Sequence, residues 1–173
     1  MSFARKLPAL LALLGLASCG FHPLYGSQGG QEPAIASRMD EIDIGLMPDR
    51  SGQVMHEALE RDLQRAGAPK FYRYHLAVSY GISVQVIGIQ PDSSNTRNRY
   101  FANAHWVLTP EGNRGLAIAK GNAQAMDAEN IIDNQYFATA LDGGTMRHQL
   151  AREIATQITT QLAIYFRSHP DKG

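Results

Sequence analysis

Leu76-Ala77-Val78-Ser79-Tyr80-Gly81-Ile82-Ser83-Val84-Gln85-Val86 is the most regular stretch of the chain. Its apolar side chains recur at every second residue, with Ser79, Gly81, Ser83 and Gln85 between them. A period of two held across Tyr72 to Ile89 predicts a long strand with one buried face, and Gly81 and Gly88 leave room for bends or bulges. The same alternation continues downstream. From Arg97 to Thr109, Tyr100, Ala102, Ala104, Trp106 and Leu108 share one face, and Arg99, Phe101, Asn103, His105 and Val107 the other. Gly112 to Gly115 reads as a turn. Leu116 to Met126 then predicts a further strand, with Ala117, Ala119, Gly121, Ala123 and Ala125 along one side, small enough for a helix to approach closely.

Upstream, Ile42, Ile44 and Leu46 alternate with Asp43 and Gly45, a short first strand that Pro48 ends. Met55, Leu59, Leu63 and Ala66 then repeat at helical spacing, with Asp49 or Ser51 as cap and Gly67 as stop. At the other end, Met146, Leu150, Ile154, Ile158, Leu162 and Phe166 recur every fourth residue. They predict a long helix capped by Asp142 or Thr145 and closed before Pro170. The element order is β-α-β-β-β-α. Two apolar helical stripes and one apolar sheet face are buried most simply in an α+β two-layer sandwich, with both helices on one face of a four-stranded mixed sheet. The first β-α-β is expected to be a right-handed crossover and the remaining strands a meander.

The N-terminus carries a different signal. Arg5 and Lys6 precede an apolar run from Leu7 to Leu16, and Leu16-Ala17-Ser18-Cys19 follows with the only cysteine in the chain. Charge, a short apolar segment and small residues describe a secretory signal peptide, too short to span a bilayer. A cysteine directly after the cleavage point resembles the bacterial lipobox, so Cys19 is the expected lipidation site. One acyl chain gives only marginal membrane residence, whereas several on one residue hold a protein to the bilayer without a transmembrane helix. Gly20 stands where an inner-membrane retention aspartate would be, which favours the outer membrane, facing the periplasm. The expected organisation is a signal peptide over 1–18, a lipidated tether over 19–38, the folded domain over 39–168 and a flexible end over 169–173. With Cys19 acylated, no thiol remains for a disulfide, nucleophile or metal.

The residues from Cys19 through Phe21-His22-Pro23-Leu24-Tyr25-Gly26, directly after the lipobox, resemble the start of the LPS-assembly lipoprotein (LptE) family, in its alphaproteobacterial form. Pro48-Asp49-Arg50-Ser51-Gly52-Gln53, Thr96-Arg97, Tyr136-Phe137-Ala138 and Ile158 to Phe166 fall in the family's order. The resemblance implies a non-enzymatic protein that sits inside and helps assemble an LPS-inserting outer-membrane β-barrel, and that binds lipopolysaccharide. It also implies the two-helix, four-strand sandwich. Gly143-Gly144 departs from the family pattern, which carries helix formers there.

Sixteen basic residues balance sixteen acidic ones, so no net field draws nucleic acid. No nucleophile elbow, zinc-protease helix or phosphate loop is present, and no cofactor is expected. None of the six histidines shares an i, i+3 or i, i+4 spacing with another, so no metal site is expected. Asp40, Glu41 and Asp43 read as a solvated strand start rather than a catalytic carboxylate pair. If helices cover one side of the sheet, Phe101, Val107, Ile87, Ile89, Leu116 and Ile118 line the other. Phe101, His105 and Val107 are the candidate contacts to the barrel. Arg97, Arg99 and Lys120 are the candidate contacts to lipopolysaccharide phosphates, which arginine meets in bidentate fashion. The competing classes are a periplasmic lipid or polysaccharide carrier without a barrel partner, which needs a deep apolar cavity, and an envelope hydrolase, which needs convergent catalytic groups.

Overall fold

The alternation around Tyr80 becomes one of two 16-residue strands at the centre of the computed structural model, which describes residues 32–65, 67–89, 95–130 and 136–170. In chain order the elements are α1 (Glu32–Asp40), β1 (Ile42–Ile44), α2 (Asp49–Leu63), β2 (Tyr74–Ile89), β3 (Asn95–Pro110), β4 (Ala119–Asn130) and α3 (Tyr136–Ser168). The sheet order is β1-β2-β3-β4. Strand β1 runs parallel to β2, and the other pairs are antiparallel, so the sheet is mixed. The expected α+β architecture is what the chain adopts, with one helix more among the described residues than the alternation announced.

The core lies between the sheet and α2 and α3. Leu150, Ile154, Ile158, Leu162 and Phe166 are fully or almost fully buried, and Ala151, Ala155 and Ala163 widen the stripe. They face Ala102, Ala104, Trp106 and Leu108 of β3 and Ala123 and Ala125 of β4, the small side predicted for close approach. The closest approach is at Gly121. A β-carbon there would lie 2.7 Å from the Trp106 ring and 2.5 Å from Gln161 Oε1. The absent side chain lets the Trp106 indole lie flush against β4 and donate its N–H to Gln161 Oε1 at 2.9 Å.

Several expected boundaries move. Residues 32–38, expected to be tether, belong to α1. Pro33 suits the first turn of a helix, where its missing N–H costs nothing. Met39 of α1 is buried, and Arg38 reaches the last turn of α3. Its Nη1 donates to the carbonyls of His169 (2.8 Å) and Phe166 (3.4 Å), Nη2 donates to Tyr74 Oη (3.1 Å), and the guanidinium sits 4.3 Å from the Phe166 ring centroid. A cation at a helix C-terminus satisfies carbonyls that have no partner inside the helix. Leu46, predicted to point inward from β1, is 96% exposed. The strand ends at Ile44, Gly45 N–H donates to Leu76 O at 2.9 Å, and the chain turns so that Met47 takes the buried position. Val84 and Val86 share a face with the buried Leu76 yet are 54% and 40% exposed, because β2 outruns the helices that cover its first half. Strand β4 runs over Ala119–Asn130, later than the predicted Leu116 to Met126. Helix α3 starts at Tyr136 rather than at Asp142 or Thr145, and runs through Gly143-Gly144, a pair that costs about 1 kcal/mol per glycine. Met146, placed in the buried stripe by spacing, is only half-buried.

Helix α2 opens on Asp49, whose φ of 66° lies in the left-handed region. Its Oδ1 accepts the Gly52 N–H at 2.9 Å, which caps the helix N-terminus. Asp49→Ala removes that acceptor and leaves a side chain ill suited to positive φ, so it is expected to destabilise the fold by about 1–2 kcal/mol. Asp49→Gly relieves the backbone and is expected to cost less. Urea denaturation midpoints of the two variants decide it: a glycine variant as unstable as the alanine variant would show that backbone strain contributes nothing.

Candidate functional site

Residues of β2, β3 and β4 that point away from the helices build a sheet face that no described element covers. Register places every sequence-predicted contact residue on it. Phe101 lies between Ser83 and Met126, His105 between Ser79 and Asn122, and Val107 between Ala77 and Lys120. Arg99 lies between Gln85 and Ala128, and Arg97 pairs with Gly88 and Asn130. Arg97, Arg99 and Phe101 cluster at the distal end of the β2–β3 hairpin, and neither arginine forms an ion pair among the described residues. The nearby carboxylate of Glu129 belongs to the other face, where it accepts the Tyr100 hydroxyl at 3.1 Å. Lys120 does not join them. It is level with Val107, eight residues along β3 from Arg99, a separation of about 26 Å at strand rise. The predicted cationic trio is therefore a pair and a distant single residue. Cys19 and Phe21 to Gly26 lie outside the described residues.

The middle of this face is polar and uncharged. Ser79, Gly81, Ser83, Asn103, Asn122 and Gln124 line a shallow depression of about 540 Å³, and His105 Nδ1 lies 2.9 Å from Asn122 Oδ1. Apolar side chains flank it: Phe101 is half-buried, Met126 is 58% exposed, and Ile87 is exposed.

The sheet edges differ in a way the sequence does not announce. Along β4, Gln157 Nε2 of α3 donates to Gln124 O at 2.8 Å, and Gln161 Nε2 donates to Asn122 O at 2.9 Å. Along β1, Gln64 Nε2 of α2 donates to Ile42 O at 3.1 Å, and His56 Nε2 lies 3.3 Å from Ile44 O. Both outer edges thus have backbone groups occupied by helix side chains. Strand β1 reaches only to Leu76 of β2. Leu76 O accepts from Gly45 N–H, so alternation turns the backbone groups of Val78, Tyr80, Ile82, Val84 and Val86 toward the same edge. No strand lies beyond them among the described residues. No charged residue stands between His75 and Asp92 to blunt this edge.

Where β1 ends, an open groove of about 790 Å³ forms between β1, α2 and the start of β2. Three histidines that no sequence spacing connects, His56, His75 and His105, line it together with Asp43, Glu60 and Arg114. The carboxylates read as a solvated strand start have specific partners. Glu41 Oε2 pairs with Arg73 Nε at 3.0 Å, and Asp43 Oδ2 lies 2.7 Å from His75 Nδ1. The parallel register Asp43↔His75 makes this contact, and nothing in the sequence of either strand alone could have shown it. On the helix side of β2, burial pushes the Tyr80 phenol up to about 12, so it stays neutral at physiological pH.

No protein-family model matches the chain, and no curated protein matches it. Solved structures do share its fold. It is similar to a lipoprotein from Caulobacter crescentus with a TM-score of 0.61 at 21% identity, over 78% of this chain and 97% of that one. Rare lipoprotein B from Shewanella oneidensis gives a TM-score of 0.56 at 7% identity, over 74% of this chain and 96% of that one. A minor lipoprotein from Acinetobacter baumannii gives 0.54 at 14% identity, over 71% and 88%. At these identities the likeness is one of fold.

Proposed function

We propose that the protein is a lipid-anchored outer-membrane lipoprotein that plugs and helps assemble an LPS-inserting β-barrel and binds lipopolysaccharide during its delivery. The observation that carries this reading is the uncovered half of the sheet. Apolar Phe101, Met126 and Ile87 stand beside two arginines without an ion-pair partner among the described residues, on a face bounded by the bare edge of β2. Exposed apolar side chains set beside cations on a sheet face are a common place for a partner to bind, and an uncharged strand edge left open invites pairing. The lipobox-like start and the fold shared with lipoproteins, rare lipoprotein B among them, support the same reading. A lipid carrier needs an enclosed apolar cavity, whereas here Trp106 closes against Gly121 and small residues bring α3 down onto the sheet.

The test is contact mapping in intact outer membranes. Photocrosslinkers at Phe101 and His105 are expected to capture a β-barrel protein, and one at the exposed helical residue Arg61 much less. Equal capture from all three positions would overturn the assignment of the face. In detergent, Arg97→Glu with Arg99→Glu is expected to weaken lipopolysaccharide retention roughly tenfold or more, since reversed charge repels phosphate directly. Lys120→Glu, about 26 Å away along the strand, is expected to do less. Unchanged retention by the double variant would remove the distal pair as the ligand site.

A further inference from the structure

We propose that Asp43, His75 and Glu111 form a divalent transition-metal site of the zinc class at the mouth of the β1–α2–β2 groove. Candidate ligand atoms of the three side chains all lie within 4.8 Å of one another. Tetrahedral zinc with bonds of about 2.0–2.2 Å holds its ligand atoms roughly 3.3 Å apart, so small side-chain rotations suffice to close the set around one ion. One imidazole with two carboxylates is a borderline nitrogen and oxygen set, which suits zinc far better than magnesium.

The backbone fixes all three positions. Asp43 and His75 are register partners across the parallel β1–β2 pair. Glu111 follows β3, and its backbone N–H donates to Arg73 O at 2.9 Å, which holds the turn against β2. One carboxylate oxygen, Glu111 Oε2, is buried and accepts no hydrogen bond from the protein. The other, Oε1, is met by Arg114 Nη2 at 2.6 Å, and the same Nη2 lies 3.7 Å from Asp43 Oδ2. Arg114 thus stands between the two carboxylates as the cation that balances them. Its side chain is 55% exposed, so it can swing into solvent at little cost when a divalent ion takes its place. Three protein ligands leave a fourth position for water or for a ligand in the groove.

The experiment uses the full chain in detergent, stripped with chelator and titrated with Zn²⁺ in the calorimeter, with Mg²⁺ in excess as competitor. One Zn²⁺ per chain is expected, undisturbed by Mg²⁺. His75→Gln and, separately, Glu111→Gln are each expected to weaken binding roughly tenfold or more, because each removes a ligand. Arg114→Gln is the decisive variant. If the cluster is only an ion-pair network, losing Arg114 creates no zinc affinity; if Arg114 stands in for the metal, losing it tightens Zn²⁺ binding. His56→Gln, on α2 elsewhere in the groove, is expected to leave the affinity unchanged. Should His75→Gln fail to fold, Glu111→Gln and Arg114→Gln still decide the matter. No saturable binding by the wild-type chain, affinity insensitive to Glu111→Gln, or weaker binding by Arg114→Gln would each overturn the proposal.

Discussion

Ile158→Asp is expected to unfold the protein or come close to it. Ile158 has no exposed surface and sits midway along the buried stripe of α3, between Ile154 and Leu162. A carboxylate there loses its hydration and gains no partner. An uncompensated buried charge costs about 3–5 kcal/mol, against a total stability of about 5–15 kcal/mol for a typical domain. Ile164→Asp is the matched comparison. It makes the same exchange six residues later, on a side chain that is 55% exposed, and is expected to change stability by only about 0.5 kcal/mol. Thermal melts followed by circular dichroism separate the two. If both variants melt within a few degrees of the parent, the packed face of α3 has been assigned wrongly.

Gly121→Ala has the next largest expected effect, and two opposing terms decide its sign. Glycine inside a strand is less favourable than alanine by roughly 0.5–1 kcal/mol, which alone would make the substitution stabilising. Against this, the new methyl group would lie 2.7 Å from the Trp106 ring and 2.5 Å from Gln161 Oε1. The end of a glutamine side chain moves easily, but a buried indole does not. Overpacking of this kind costs about 1–3 kcal/mol, so the net change is destabilising. Trp106→Phe removes the part of the ring that the methyl group meets, along with the hydrogen bond to Gln161. The double variant is therefore expected to lose less stability than the two single changes summed. A double-mutant cycle measured by urea denaturation would show strict additivity if the close approach at Gly121 were not real.

Alternation carried most of the fold, because each long strand has one buried face and sequence period reports burial. The two faces of β3 were legible residue by residue, as was the closely packed small side of β4 from Gly121 to Ala125, whereas Ala117, expected on that side, is exposed ahead of the strand. The errors share a cause: local pattern cannot see what stands opposite. Leu46 continues the alternation of β1, but the bond from Gly45 N–H to Leu76 O is the last rung of the β1–β2 ladder, and beyond it the chain turns so that Met47 takes the buried position. Val84 and Val86 continue the alternation of β2 beyond the reach of the helices. Helix α1 has too weak an apolar stripe to announce itself, and Arg38 reveals its role only once Phe166 and Tyr74 are beside it. That Arg97, Arg99, Phe101, His105 and Val107 share one face was legible because parity places them together. The distance to Lys120 was not, since it depends on the register of β4. Asp43, His75 and Glu111 are 32 and 36 residues apart in sequence and meet only through strand pairing and a pinned turn.

The Arg38 clamp also decides how the fold bears tension. Any pull transmitted by the preceding chain enters this unit at residue 33, through α1. Arg38 grips the carbonyls of Phe166 and His169, so the load is shared at once with the last turn of α3. Under rising force the guanidinium contacts are expected to shear first and β1, held to β2 over three residues, to peel next. The antiparallel β2–β3–β4 meander meets that line of force at the Tyr74 end of β2, where Arg38 Nη2 donates to the Tyr74 hydroxyl. A protein towed by its N-terminus would yield at the point of entry while its long hairpin kept its shape.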